Sequence, residues 1–341
     1  MHPLITAFLD HLAAGTIPAT TLKALRGDLA TLERWYTTAR DRPLRLEDVT
    51  PLDVDAWMRH TTVADQTEAA PATANRRKQS LRRLCQWAID QQVLRTDPTR
   101  DMRDLPLGDR APRSISDAAV DRLLHAARQH ADPEQALRDE AMLSILAFCG
   151  LRVEELCQIT IADLNLSSGT VTVRHGKGGK RREVHLLPRL DALLRRYLTE
   201  VRCPHDGIPA RTSAAAAQSL WVHRTNLDGR PWSPGLTQHT VQLFVRAFAE
   251  REAEQCRADA ATARRRDQRM ALERLAEELA GVTPHTFRHS LLRRLIEQGV
   301  ELPEVQAIAG HSSLRVTGMY LTPHEGTRRS AIERGADLRT K

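Results

Sequence analysis

Lysine is nearly missing from a chain that is otherwise basic. Of its 50 basic residues only five are Lys (Lys23, Lys78, Lys177, Lys180 and Lys341) and the rest are Arg, against 43 acidic residues and a formal charge of +7. Tyrosine is scarcer still, at Tyr36, Tyr197 and Tyr320. The five cysteines (Cys85, Cys149, Cys157, Cys203 and Cys256) form no Cys-x-x-Cys pair and are odd in number. That speaks against a disulfide framework and for reduced thiols in a cytosolic protein. The longest apolar run, Ala141 to Cys149, is too short to span a bilayer and contains Ser144. The amino-terminal stretch lacks a basic leader and Asp10 interrupts its apolar residues, so it does not read as a signal peptide. Together these absences point to a soluble intracellular protein with no membrane partner.

A chain of 341 residues suggests two domains at about 150 residues each. Hydrophobic residues at 41% and charged residues at 27% exclude wholesale disorder. The basic balance favours a polyanionic partner. Between Thr20 and Arg40, apolar residues recur at Leu22, Leu25, Leu29, Leu32 and Trp35, a helical spacing. A second helix starts at Pro51 behind the cap Thr50, and a third runs from Ala72 to Gln92. Residues 1–106 therefore read as an all-α bundle. Two prolines and a glycine between Asp104 and Ser116 mark a linker, placed at 107–115.

The second domain, 116–341, opens on a helix capped by Ser116, followed by an apolar helix from Asp139 to Phe148 closed by Gly150. The runs Ile159–Leu166, Thr170–Arg174 and Arg182–Leu187 are β-prone and separated by glycine-rich turns, which predicts a small antiparallel sheet. Helices return from Pro188 onward. A charged Ala/Arg/Glu stretch, 251–279, reads as an insertion forming a long exposed helix or a helical hairpin. The fold class is thus mainly α, with a small antiparallel β-sheet in the C-terminal domain and an N-terminal all-α bundle.

The chemistry concentrates near the C-terminal end. Pro284 precedes a helix opening on His285, whose i+3 and i+4 neighbours Arg288 and His289 share its face. A second helix starts at Pro303 and is stopped by Gly310, with His311 on the turn and Tyr320 beyond it. Upstream, Arg152 follows the helix-ending Gly150, and Glu155 is spaced to brace its guanidinium. Lys177 sits in the turn Gly176–Lys180, and two of the five lysines fall in this one turn, where a titratable point charge is wanted rather than a fixed fork. Two guanidinium forks can hold a phosphate and meet charge building on its oxygens. A tyrosine hydroxyl can attack phosphorus, a lysine can protonate a departing alkoxide, and a histidine can manage the nucleophile's proton. No carboxylate cluster suited to Mg²⁺ accompanies them, so phosphoryl transfer without metal or other cofactor is implied.

The order Arg152, Lys177, His285-x-x-Arg288, His311, Tyr320 resembles the tyrosine recombinase (phage integrase) family, two-domain type. The local context matches as well: a Gly-Leu-Arg-x-x-Glu-Leu box, a Gly-Lys-Gly hairpin, a Pro-His-x-x-Arg-His-Ser box, and Gly-His-Ser followed by Tyr. The resemblance implies that Tyr320 forms a 3′-phosphotyrosyl link, Arg152 and Arg288 clamp the phosphate, and His311 hydrogen-bonds it. It further implies that Lys177 is the general acid, that His285 assists at the tyrosine, and that Glu155 and His289 support the site. Partners would be double-stranded DNA recombination sites and three further copies in a tetramer, with a second recombinase as the alternative partner, in the nucleoid-associated cytoplasm. Nothing precedes the first helical domain, so no arm-type DNA-binding domain is expected. Two departures are the Ala309 before Gly310, where Leu is usual, and the length of the charged insertion.

Bland readings compete with some of these. His285 and His289 could bind zinc, but Thr286 occupies the place where that motif needs a glutamate. The run Arg76, Arg77, Lys78, Arg82 and Arg83 carries no negative charge, and with Leu81, Leu84 and Cys85 turned to a core its basic side reads as a DNA contact. Lys180 and Arg181 read as further phosphate contacts, whereas Arg264 to Arg266 lie among acidic neighbours and read as a solvated face. Two alternative functions stand beside this one: strand-swivelling relaxation of the type IB topoisomerase kind, which shares this chemistry, and a non-catalytic DNA-binding protein on the same fold.

Overall fold

The computed structural model describes residues 1–15, 17–60, 68–107, 113–174, 181–205, 207–222 and 235–310. The chain divides into two compact units, Met1–Arg110 and Ala111–Lys341. The first is all helical: α1 (Pro3–Ala13), α2 (Ala19–Arg40), α3 (Pro51–Arg59) and α4 (Pro71–Asp90). Their apolar stripes meet in one core that includes Phe8, Leu29, Leu32, Tyr36, Trp57, Leu81 and Leu84. Thr50 caps α3 through a reciprocal box, its hydroxyl accepting from the Asp53 N–H at 3.2 Å while Asp53 accepts from the Thr50 N–H at 3.0 Å.

The basic run on α4 does not form one free face, which corrects the expectation for Arg77 and Lys78. Arg77 is buried and donates to the carbonyls of Trp57, Met58 and His60, the last carbonyls of α3. A cation there satisfies orphaned acceptors and complements the negative end of the helix dipole. Burial lowers the pKa of the Arg77 guanidinium. Lys78 is buried too, bonded to the carbonyl of Met102 at 3.0 Å and paired with Asp104 at 2.6 Å. Asn75 exchanges two hydrogen bonds with the backbone of Leu105, and Arg82 reaches the hydroxyl of Thr99 at 3.0 Å. This face of α4 thus straps the chain that leaves it back onto the bundle. Arg76 pairs with the buried Asp28 at 2.7 Å while half exposed, and Arg83 is exposed.

The second unit is built on α6 (Pro133–Cys149), which follows α5 (Asp117–Arg128), itself capped by Ser116. Every residue of α6 from Ala141 to Ala147 is buried. After α7 (Val153–Gln158) comes a three-stranded antiparallel sheet ordered β1 (Leu164–Asn165), β2 (Thr170–Val173) and β3 (Arg182–His185), with Leu164 opposite Val171 and Val173 opposite Arg182. The first strand is much shorter than the sequence suggests. Thr160 and Asp163 cap a 3-10 turn at Ile161–Asp163, which ends the extended run.

Helices α8 (Pro188–Tyr197), α9 (Gln238–Thr262), α10 (Arg266–Leu279), α11 (Pro284–Glu297) and α12 (Leu302–Ala309) complete the described fold. The charged stretch is the hairpin alternative, but 251 is not a boundary, because it lies within α9. Nor is the stretch only exposed. Val245, Phe248, Ala253 and Cys256 of α9 and Ala276 and Leu279 of α10 join the core. Glu252, buried on α9, pairs with Arg122 of α5 at 3.0 Å. Cys85, Cys149 and Cys256 are buried free thiols. None of the described helices is long and apolar enough to cross a membrane.

Removing the cation that caps α3 should cost more than removing one from the surface of the same helix. Arg77→Ala leaves three carbonyls without their donor and is expected to destabilise the first unit by about 2–3 kcal/mol, against about 0.5 kcal/mol or less for Arg83→Ala. Urea unfolding followed by tryptophan fluorescence measures both, and equal midpoints would show that Arg77 does not stabilise the bundle.

Candidate active site

Two helix ends and one helix start build the site. α6 stops at Gly150, in the left-handed region at φ 62°, where a Cβ would lie 2.9 Å from a methyl carbon of Leu291 on α11. Glycine is therefore needed both to turn the chain and to let α11 approach. α12 stops in the same way at Gly310, φ 59°. Arg288 of α11, buried at 3% exposure, donates to the carbonyl of Gly150 and to the carbonyl of Ala309. One guanidinium thus ties together the two chain reversals, separated by 159 positions in the numbering of Ala309 and Gly150.

Arg152 emerges two residues after the first reversal and caps α7. Its Nη2 donates to the carbonyl of Gly310 at 3.2 Å, so the second arginine reaches the same junction from another direction. Its Nη1 donates to Glu155 Oε1 at 2.9 Å, and its backbone N–H to Glu155 Oε2 at 2.8 Å. The bracing expected from the spacing is present. Arg152 remains about one-fifth exposed at the side chain.

The sequence reasoning did not single out Arg182. This first residue of β3 forks onto Glu155, Nη1 to Oε1 at 2.9 Å and Nη2 to Oε2 at 2.8 Å. Glu155 therefore accepts four hydrogen bonds, about as many as a carboxylate has lone pairs for. Burial pushes the Glu155 carboxyl up, but the hydrogen bonds from Arg182 and from the Arg152 backbone, with both positive charges, outweigh it and hold the group below the usual carboxylate range. Arg182 also fills the space beside Gly310, where a Cβ would come within 2.9 Å of its Nη1. Its buried Nε has no hydrogen-bond partner among the described residues. The period-2 pattern of Arg182-Glu-Val-His was the available signal, since it turns Arg182 and Val184 to the same, half-buried side.

His285 and His289 face each other on α11 with ring centroids 6.4 Å apart. Desolvation, then the charges of Arg288 and Arg152, lower the pKa of His285. For His289, desolvation and the neighbouring His285 and Arg288 lower it to about 4. Both rings are neutral near pH 7. Thr286, in the place where a zinc-protease glutamate would stand, is buried and accepts a hydrogen bond from the Thr283 N–H at 3.1 Å, so it caps the helix.

Of the residues singled out from sequence, Arg152, Glu155, His285, Arg288 and His289 are thus described together. Lys177, Lys180, His311 and Tyr320 lie outside the described residues. Arg181 is two-thirds exposed, 3.5 Å from Glu183. The other two tyrosines are fully buried: Tyr36 accepts from Arg42 Nη2 at 3.0 Å and Tyr197 donates to the Leu220 carbonyl at 3.0 Å.

Comparison with known proteins agrees with this arrangement. Residues 113–326 match the phage integrase family, and residues 5–92 match the phage integrase N-terminal SAM-like domain. The tyrosine recombinase XerD of Pseudomonas aeruginosa is 33% identical over 324 residues, covering 94% of this chain and 92% of that protein. The tyrosine recombinase XerC of Xanthomonas campestris is 27% identical over 318 residues, covering 93% and 83%. Among solved structures, the Tn1549 transposon integrase in complex with transposon right end DNA shares the fold at a TM-score of 0.68 and 18% identity, over 98% of this chain and 99% of that one. A lambda integrase dimer bound to a COC′ core site does so at 0.58 and 17%, over 94% of each. With most of both units covered, and an Arg-Glu box and a His-x-x-Arg box brought to one junction, the chain belongs to the phage integrase family, and its activity is that of a tyrosine recombinase acting on DNA.

Proposed function

We propose that the Tyr320 hydroxyl attacks the scissile phosphate of a double-stranded recombination site, forming a 3′-phosphotyrosyl ester as the bond to the 5′-oxygen breaks and a 5′-hydroxyl is released. Arg152 and Arg288 meet the charge on the non-bridging oxygens, His311 donates a hydrogen bond to the same phosphate, and Lys177 protonates the departing 5′-oxygen. His285, neutral at physiological pH, takes up the tyrosine proton. The 5′-hydroxyl of a partner strand then attacks the ester, so the bond energy is conserved and neither a nucleotide nor a metal ion is consumed.

The observation that carries this reading is the meeting of Arg152 and Arg288 on the carbonyls of Gly150, Ala309 and Gly310, immediately before His311 in the chain. Tyrosine accounting supports it, because Tyr36 and Tyr197 are buried and hydrogen-bonded. Exchange between two sites requires four active sites, so the working unit is a homo-tetramer on DNA, or a mixed one with a second recombinase as the likeness to both XerC and XerD suggests. A DNA substrate is consistent with a location in the cytoplasm, associated with the nucleoid. Arg76, Arg83, Arg181 and Lys180 are the basic residues assigned to phosphate contacts outside the catalytic centre, with Arg82 partly engaged in the bundle.

A duplex nicked beside the scissile phosphate traps the ester. Wild type is expected to accumulate a covalent protein–DNA adduct, Tyr320→Phe none, and Arg152→Ala or Arg288→Ala at least about a hundred-fold less while still binding DNA. Adduct formation by Tyr320→Phe at the wild-type level defeats the reading. Efficient relaxation of a site-free supercoiled plasmid would instead favour strand swivelling.

The histidines set the acid limb. His285 lies below its ordinary value of 6.5, so it stays neutral as pH falls through that value. Single-turnover cleavage should therefore hold to pH 6.5 and decline only below it, and a midpoint at or above 6.5 contradicts the assignment. His289, at about 4 in the folded protein, binds its proton more readily when unfolded. Its contribution to stability is present above pH 6.5 and is lost as pH falls towards 4, and His289→Gln should flatten that part of the stability profile.

A further inference from the structure

We infer that Arg182 is a positioning residue for the reaction: by occupying both oxygens of Glu155 with its own fork, it prevents that carboxylate from chelating Arg152 and so keeps the charge of Arg152 directed at the substrate. This rests on the assignment of Arg152 to the scissile phosphate. Glu155 is the carboxylate nearest to hand for Arg152, three residues on, buried and ionised. A carboxylate so placed is a hazard to a catalytic guanidinium. Two parallel hydrogen bonds from Arg152 would be the strongest geometry available to the pair, and would turn the fork away from any phosphate and neutralise it.

The geometry shows that this does not occur. Arg152 gives Glu155 a single side-chain hydrogen bond, from Nη1 at 2.9 Å, and sends Nη2 to the Gly310 carbonyl. The fork-on geometry belongs to Arg182 alone, with bonds of 2.9 and 2.8 Å. Two guanidinium groups share one carboxylate, so the cluster of three carries a net positive charge. Arg182 holds this place even though its buried Nε goes without a partner among the described residues. Lysine would substitute only in part, because one ammonium keeps the charge but cannot grip both carboxylate oxygens in a plane. Gly310 completes the arrangement, since any side chain there would press on the Arg182 guanidinium from the other side.

The test is single-turnover cleavage of the nicked duplex at saturating protein, by wild type, Arg182→Gln, Glu155→Gln and the double variant. Arg182→Gln is expected to cleave about ten-fold more slowly with DNA affinity within about three-fold of wild type, and Glu155→Gln in the same chain should restore most of the rate. On a substrate with a neutral methyl in place of one non-bridging oxygen, the Arg182→Gln deficit should shrink, because less charge has to be met. A structural defect would be equal on both substrates. Wild-type cleavage by Arg182→Gln, a deficit that follows DNA affinity, an equal deficit on both substrates, or a double variant no faster than Arg182→Gln overturns the inference.

Should Arg182→Gln fail to fold, Arg182→Lys keeps the stem and the charge and carries the same test. It should lose about three-fold in rate, with the same rescue, and a wild-type rate would overturn the inference. Arg152→Ala is measured alongside. If it cleaves normally, the phosphate assignment itself fails. If it is inactive while Arg182→Gln is normal, only the role of Arg182 falls.

Discussion

Arg288 lies between two helix ends. Both α6 and α12 finish in a left-handed glycine, and at each end the last carbonyls point away from the helix with partial negative charge and no intrahelical donor. A guanidinium set between two such ends meets acceptors supplied by dipoles, and its 3% exposure is tolerable for that reason. The consequence runs in both directions. Gly150 and Gly310 fix where Arg288 can go, and Arg288 fixes how the segment before His311 meets the segment before Arg152. An active site assembled from sequence-distant pieces needs such a fixed reference, and here it is one side chain.

The first unit uses the same device for a different purpose. Arg77 sits on the carbonyls that end α3, and Lys78 on the Met102 carbonyl beyond α4. Neither is a surface charge. Their long apolar stems cross the core boundary and their heads find main-chain oxygen. The abundance of arginine in this chain is thus partly architectural: Arg77, Arg202 and Arg288 are all buried donors to backbone carbonyls. Only what is left over, such as Arg83 and Arg181, is open to the phosphates of a duplex.

What the sequence made legible was local. Thr50 and Ser116 as caps, Gly150 and Gly310 as stops, and Glu155 as the brace of Arg152 all follow from spacings of three or four residues, and all are present. What it hid was decided by neighbours far along the chain. Arg77 and Lys78 look like a DNA-facing run because nothing nearby announces the α3 carbonyls they cap. The Ile159–Leu166 run looks like a strand until Asp163 takes both the N–H and the hydroxyl of Thr160 and folds the segment into a turn. The α9–α10 stretch looks solvated because alanine, which forms its buried seam, is silent in a charge pattern. Arg182 was hidden among the five basic residues Arg174, Lys177, Lys180, Arg181 and Arg182, where only the alternation of β3 sets it apart.

Helix α11 shows why the site tolerates little rotation. From one face it sends Arg288 to the two glycine-ended helices. From others, the Ser290 hydroxyl accepts from the Ile115 N–H at 2.8 Å, Arg293 reaches the Ser114 hydroxyl at 2.9 Å, and Arg294 pairs with Asp117 at 3.0 Å. Glu278, at the end of the preceding helix, receives both the N–H and the hydroxyl of Ser116. A helix turns about 100° per residue, so any register shift that loosened these contacts would also swing His285 and Arg288 off their junction. Residues 114–117 are therefore bonded both to the helix that carries His285, Arg288 and His289 and to the end of the helix before it.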